Sequence, residues 1–407
     1  MPQNQGAFHD LLVVELASVL AGPSVGQFFA EMGATVIKIE NLRSRGDVTR
    51  QWKLSSEDPS RDVSAYFAAA NWGKKSVCLD LASAEAKRAV YDLVAKADVV
   101  LVSFKPGDAE KLGMEYETLS AKNPRLLYGH VTGYGNESKR AGYDAVLQAE
   151  AGFMYMNGEK GGGPVKMPVA MIDLMAAHQL KEGLLAALYL REKTGQGQYV
   201  EVSLLRAALS SLANQATNYL VAGKAPERMG SEHPNIVPYG TVYTTADGKE
   251  LVLAVGDDRQ FSSLCQVLGE PALAGQEMYK TNKGRVINRV ALNVRLSELV
   301  NRFEREPLLQ ALIQQHVPAG AVHTVPEALA QPLGLGQLLA GENGQWQGVR
   351  QVAFTAEMVT RAELSFPPGL GQHTWEVLQE VAGLTSQELA RMAGQGQIYP
   401  AGSENEN

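Results

Sequence analysis

Two places in this chain carry residue types that could do chemistry. The first is Gly22-Pro23-Ser24-Val25-Gly26, which reads G-x-S-x-G. A serine nucleophile there would need a strained turn at the end of a central strand and an oxyanion-hole amide from a loop earlier in the chain. The short segment before Ser24 leaves no earlier strand pair to supply that loop, and a triad histidine would have to come from seven scattered ones. The glycine spacing does not fit G-x-G-x-x-G, and no G-x-x-x-x-G-K-[ST] occurs. The glycines suit a tight turn from strand to helix, whose free backbone amides can hold an anionic or polar group. The second place is Asp173, between apolar "VAMI" and "LMAA". It reads as the N-cap of the helix that follows or as a buried functional acid, and the residue pattern alone favours the cap. The roles are compatible, because a helix N-terminus would hold the carboxylate ionised and nucleophilic.

The elements around these residues follow a regular plan. Strands "LLVVELA", "TVIKIE", "SVCLDL", "DVVLVSF" and "LLYGHVTGYG" alternate with helices "SVGQFFAEMG", "SAEAKRAVYDLVAKA" and "KLGMEYETLSAKN". Continuous apolar strands between helices predict a parallel sheet covered on both faces, a doubly wound, Rossmann-like α/β domain. Helix "MAAHQLKEGLLAALYLREKTG" and strand "QYVEVSLL" close this part, and a second long helix over about Leu205–Ala222 leads away. Then "HPNIVPYGTVYTTADGKELVLAV" alternates around Asp247-Gly248, as an antiparallel hairpin does, with helices near Gln260–Leu268 and Leu292–Phe303. The expected organisation is a large domain over 1–224, a small α+β domain over 225–321, a linker returning to the large domain over 322–400, and a disordered tail, 401–407.

Composition excludes several classes. At 407 residues, 45% apolar and 20% charged, the chain is an ordinary globular protein, and a net charge of −7 offers no basic face for nucleic acid. Cys78 and Cys265 lie far apart in apolar runs, which supports neither a metal site nor a disulfide and fits a cytoplasmic setting. The start "MPQNQGAFHD" lacks signal-peptide features, and no apolar stretch reaches the length of a membrane span.

In order along the chain, "AGPSVGQFFAEMGATVIKIE", "GDVTR", "NWGKKSVCLDL", "ADVVLVSFKPGDAEKLGM", "RAGYDAVLQAEAG", "VAMIDLMAAHQLKEGLLAAL", "KTGQGQYVEVSL" and "HPNIVPY" resemble the class III CoA-transferases. That superfamily includes formyl-CoA transferase and alpha-methylacyl-CoA racemase. The resemblance extends to "GQHTWEVL", and "AGYDAV", "VAMIDL" and "MYKTNKGRVINR" place it nearest the succinyl-CoA:glutarate and other dicarboxylate enzymes. It implies an interlocked homodimer of ring-like subunits, Asp173 as nucleophile, no tightly bound cofactor, and acyl-CoA and small carboxylates as substrates. By this matching "AGPSVGQ" lines the CoA end of the site, and the G-x-S-x-G spelling is a coincidence. The reaction implied is exchange of CoA between two acids through an aspartyl mixed anhydride and an aspartyl-CoA thioester, with no ATP and hence no phosphate loop.

The resemblance nominates Val19, Ala21, Leu79, Phe104, Lys105, Lys111, Arg140, Tyr143 and Asp144 as CoA contacts. A lone lysine in such a place is more often a solvated surface charge. Compared with formyl-CoA transferase, Ser103 replaces Asn, Lys111 replaces Arg, and Asn41 stands where Arg follows the "VIKIE" strand, with Arg43 two residues on. Lysine gives a point charge where arginine gives a fork, so the phosphate contacts differ. Arg50, Lys166 and His233 are candidates for the acceptor's distal carboxylate. "NGEKGGGP", Asn157 to Pro164, is either a source of oxyanion-hole amides or a flexible loop. Racemase chemistry is the alternative, with His130 or His178 as base, but Gly142-Tyr143-Asp144 puts a phenol where that branch has histidine, a poor base near neutrality. A non-catalytic acyl-CoA binding protein would lack the aspartate, and thioester hydrolysis would differ only in the access of water.

Overall fold

The computed structural model describes residues 6–341, 344–357 and 359–400. The expected tail over 401–407 lies outside them. The chain forms two compact units: one from the described parts of Met1–Ala151, Pro168–Ala213 and Leu333–Asn407, the other from Gly152–Met167 and Asn214–Pro332. The breaks fall at 213/214 and 332/333 where 224/225 and 321/322 were expected, and Gly152–Met167, expected in the large domain, clusters with the second unit.

The main sheet of the first unit is built from β1 (Leu12–Leu16), β2 (Thr35–Asn41), β3 (Lys74–Leu79), β4 (Val99–Val102), β5 (Leu127–Thr132) and β6 (Gln198–Ser203). They pair in the order β3-β2-β1-β4-β5-β6, all parallel. In β1, Val13 sits opposite both Val36 and Val99, and Val-Val-Leu-Val of β4 is buried throughout. Alternation of polar and apolar residues is absent because helices cover both faces. Helix α1 (Ala21–Glu31) follows β1, and α2 (Ala84–Val94) covers the other face. Ser83 caps α2 by accepting from the Ala86 N–H, with Glu85 in the first turn. Its Ala86, Ala89, Val90, Leu93 and Val94 form one buried stripe, and burying side chains such as Val90 and Leu93 contributes about 1.5–3 kcal/mol each. The C-terminal helices Thr374–Glu380 and Ser386–Gly394 return to this core through Val377, Leu378, Leu389 and Met392.

Several expected elements change at identifiable residues. The segment expected as one helix over "KLGMEYETLSAKN" is two, Asp108–Leu112 and Tyr116–Lys122, separated where Gly113 adopts φ +70°. The long helix expected over Leu205–Ala222 is broken into Leu204–Ser210 and Ala213–Ala222, with Ala213 at φ +46°. The G-x-S-x-G residues are not a turn; all five lie inside α1, and Ser24 is fully buried. A Cβ on Gly22 would stand 2.3 Å from that of Ala17, and one on Gly26 would meet the Glu15 carboxylate and the Lys74 ammonium. These glycines are there for close approach of α1 to the strands.

The second unit carries the expected hairpin, β7 (Tyr239–Thr244) and β8 (Glu250–Ala254), joined at Asp247-Gly248 with Gly248 at φ +73°. β9 (Ala319–Ala321) adds antiparallel to β8. Phe261, Leu264, Leu292, Leu296, Leu308 and Leu312 pack its core. Among the described residues no helix is long and apolar enough to cross a membrane, and no group of His, Cys, Asp and Glu is placed to hold a metal ion.

Candidate active site

In an open parallel sheet the strand order reverses at one point, and the loops leaving the two strands there splay apart to leave a crevice. Here that point lies between β1 and β4. A cleft occupies it, lined by Ser18–Gly22 after β1, Ser103–Pro106 after β4, Val131–Gly133 at the end of β5, Ser138 and Arg140–Asp144, with Asp173 and Leu204. Gly133 and Gly142 let two of these segments touch, since a Cβ on Gly133 would lie 2.6 Å from the Gly142 Cα.

Asp173 is not the cap of its helix. The helix, α3 (Met171–Thr194), has Ala170 at its N-cap position, and Asp173 stands in the first turn. The capping role belongs to Asp144, whose Oδ1 accepts from the Ile172 N–H at 2.8 Å while Oδ2 accepts from Gln148 Nε2 at 2.6 Å. Asp173 is 8% exposed and accepts no hydrogen bond from the described residues. Burial, with the nearby Asp144 charge added, pushes its carboxyl up to about 7 from an ordinary 3.8. The expectation that the helix terminus holds it ionised is therefore reversed, because loss of hydration and a like charge outweigh the dipole.

Of the nine nominated CoA contacts, Val19, Ala21, Phe104, Lys105, Arg140, Tyr143 and Asp144 share this cleft with Asp173. Leu79 does not; it is fully buried in β3, inside the core. Neither does Lys111, an exposed side chain paired with Asp108 at 2.8 Å. Arg140 lies over the Tyr134 ring at 4.1 Å and pairs with Glu150 at 2.5 Å. Of the three carboxylate candidates, Arg50 is 4% exposed and committed elsewhere. Its guanidinium grips Glu40 at 2.6 and 2.8 Å, donates to the Pro368 carbonyl at 3.0 Å and stacks on Phe67. Lys166 and His233 belong to the second unit. So does the glycine-rich segment 157–164, which Arg228 clasps through the Gly162 carbonyl at 2.9 Å.

His130 has both ring nitrogens engaged, Nε2 with the Phe104 carbonyl at 2.9 Å and Nδ1 with the Tyr199 hydroxyl at 2.9 Å. The carbonyl requires a proton on Nε2, so Nδ1 accepts from the tyrosine, and burial lowers the pKa of this neutral ring. It holds the Ser103–Lys105 segment in place and has no free nitrogen to act as a base. His178 is exposed on α3 and is not part of the cleft. Ser24 is likewise outside it. The residue types missed from the sequence are the small hydroxylated ones, Ser18, Thr132 and Ser138; Ser18 and Thr132 are marked only by their place at strand ends, which requires the strand order, and Ser138, in the loop after β5, by nothing local.

The model of CoA-transferase family III matches residues 8–374. The succinate–glutarate CoA-transferase of Agrobacterium fabrum is 40% identical, over 94% of this chain and 97% of its own. The succinyl-CoA:mesaconate CoA-transferase of Haloarcula marismortui is 33% identical, over 92% and 96%. A crystal structure of a CAIB/BAIF family protein from Brucella suis superposes with a TM-score of 0.81 at 38% identity, covering 93% of this chain and all of that one. With the parallel sheet and the crevice at its switch point, these likenesses show that the chain belongs to CoA-transferase family III and is a transferase.

Proposed function

We propose that the protein moves CoA from succinyl-CoA to a small dicarboxylate, with Asp173 as the nucleophile. The observation that carries this reading is the Asp173 carboxyl, buried in the cleft, accepting no hydrogen bond from the described residues and raised to about 7. A carboxylate so placed keeps its lone pairs available, and its raised basicity strengthens it as a nucleophile once ionised. The names of relatives that act on glutarate and mesaconate support a dicarboxylate acceptor.

In the proposed sequence, an Asp173 oxygen attacks the thioester carbonyl and the C–S bond breaks, giving a mixed anhydride and CoA thiolate. The thiolate attacks the aspartyl carbonyl of the anhydride and succinate leaves, so the acyl group on Asp173 is exchanged for CoA. The acceptor carboxylate then attacks the aspartyl-CoA thioester, and the same two steps run in reverse to release the new thioester and the free aspartate. The cleft, about 210 Å³, suits the acyl group and the thiol end of CoA, leaving the nucleotide end to run outside, where Lys105 and Arg140 are exposed. Lys166 and His233 remain candidates for the acceptor's distal carboxylate; Arg50 is withdrawn. The reading includes an interlocked homodimer in the cytoplasm, and exposed Tyr219, Leu220 and Val221 give a second copy apolar surface to cover.

The test is incubation with succinyl-CoA and a panel of C4 to C6 dicarboxylates, with mass spectrometry of the CoA thioesters formed and Asp173→Ala as control. New thioesters that depend on the acceptor and vanish in the variant are expected. Turnover that survives Asp173→Ala, or no exchange with any acid, would overturn the reading.

A further inference from the structure

Val19 lines the cleft with φ +72°, a left-handed conformation that a β-branched residue adopts only under constraint. The constraint comes from the backbone partners of its segment. The Val19 N–H donates to Asp47 Oδ2 at 3.2 Å, the Ser18 N–H donates to Ser103 Oγ at 3.1 Å, and Lys38 Nζ donates to the Ala17 carbonyl at 2.8 Å. Further along, Lys74 Nζ reaches the Pro23 carbonyl at 2.9 Å.

Behind this segment, Glu15, Lys38, Asp47 and Lys74 form one ion cluster, each 4% exposed or less. Lys38 bridges Glu15 at 2.9 Å and Asp47 at 3.0 Å, and Lys74 meets Glu15 at 2.8 Å. Two carboxylates and two ammonium groups cancel in formal charge. Although burial works against both charges, the carboxylates hold Lys38 above the ordinary lysine value, and Lys38 and Thr49 hold Asp47 below the usual range. Asp47 is aimed by the Thr49 N–H at 3.0 Å and the Thr49 hydroxyl at 2.8 Å, and its own N–H donates to Glu40. Apolar side chains of similar size often stabilise a core as well as a buried ion cluster does, so stability alone does not account for one at this place. None of the four lines the cleft; they meet it only through the backbone of Ala17–Pro23.

We infer that Asp47 is a positioning residue for the thioester site: backed by Lys38, it holds Val19 in the left-handed conformation that shapes the Ser18–Gly22 wall. The inference rests on the reading of the cleft as the CoA site. The experiment is calorimetric titration of CoA, with kcat and KM for succinyl-CoA, on wild type, Asp47→Asn, Val19→Gly and the double variant. Asp47→Asn is expected to weaken CoA binding and raise KM about tenfold, the scale of one charge-assisted hydrogen bond, with a much smaller change in kcat. Glycine adopts positive φ without strain, so in the Val19→Gly background the same change should cost less than about threefold. A folded Asp47→Asn with wild-type CoA affinity, or an equal loss in both backgrounds, would overturn the inference. If Asp47→Asn does not fold, Thr49→Val removes one donor to Asp47 without touching a charge. A smaller weakening that disappears in the Val19→Gly background is then expected, and unchanged affinity would overturn the inference. Wild-type protein that binds no CoA would remove the underlying reading and the inference with it; normal wild-type binding with undiminished variants removes the inference alone.

Discussion

Asp173→Asn should make the protein more stable at neutral and alkaline pH while abolishing transfer. The side chains have nearly the same shape, but the amide cannot ionise. The native carboxyl, at about 7, binds a proton that the unfolded chain, at 3.8, has released. Between those values the native state holds more protons, so this group's contribution to stability falls as pH rises through the window and levels off above it. The separation corresponds to roughly 4 kcal/mol of destabilisation above pH 8, of which about 2–3 kcal/mol develops between pH 5 and pH 8. For a chain of 407 residues, with an unfolding entropy of about 2.1 cal/mol/K per residue, that is a growth of roughly 3 °C in the Tm difference. Thermal unfolding of both proteins in matched buffers across that range reads it directly. The variant's advantage should be smaller at pH 5 than at pH 8 by that amount; an advantage that does not change with pH, or a variant less stable at pH 8, would refute the claim that the surroundings of Asp173 raise its pKa.

The same titration predicts that kcat/KM for succinyl-CoA rises with pH through about 7, as Asp173 ionises, and Asp144→Asn should move that limb to lower pH by removing the like charge. A pH–rate profile of both proteins checks this. His130→Leu should raise KM for the thioester and lower stability by about 1–3 kcal/mol, because the Phe104 carbonyl loses its donor and the Tyr199 hydroxyl its acceptor, keeping only the bond from Asn136. Ser24→Ala should leave turnover unchanged, since Ser24 is buried in α1 with its hydroxyl 3.4 Å from Gln351, whereas Gly22→Ala should cost about 1–3 kcal/mol through its clash with Ala17. In steady-state assays, Lys111→Met should leave KM for CoA thioesters as it is, while Lys105→Met and Arg140→Met should raise it more strongly at low salt.

The parallel sheet was legible because its strands are short apolar runs such as Val99–Val102, separated by helices with clear stripes and caps such as Ser83 and Ala86–Val94. The pattern around Asp173 left a buried acid open beside a helix cap, but its sharing a cleft with residues 19, 104 and 140 was expected only through resemblance to a family, because these residues meet through strand order, which local pattern does not encode. The glycines of α1 were misread as a turn, since close approach to Ala17 and Glu15 demands the same residue type as backbone reversal does. Arg50 was misread for a related reason. An arginine after "GDVT" looks like a ligand for a substrate carboxylate, and here the carboxylate is Glu40 of a neighbouring strand. The sign of the Asp173 shift followed from burial and from Asp144, 29 positions earlier in the chain, neither of which is a local property.

The most direct test of the central claim is to trap the enzyme-bound acyl group. The protein is mixed with succinyl-CoA, quenched with hydroxylamine, digested, and the peptides are mapped by mass spectrometry. The expected result is a hydroxamate on Asp173 that forms only with the thioester present and in proportion to active protein. Efficient transfer with Asp173 unmodified, or with the label on another side chain, would contradict it.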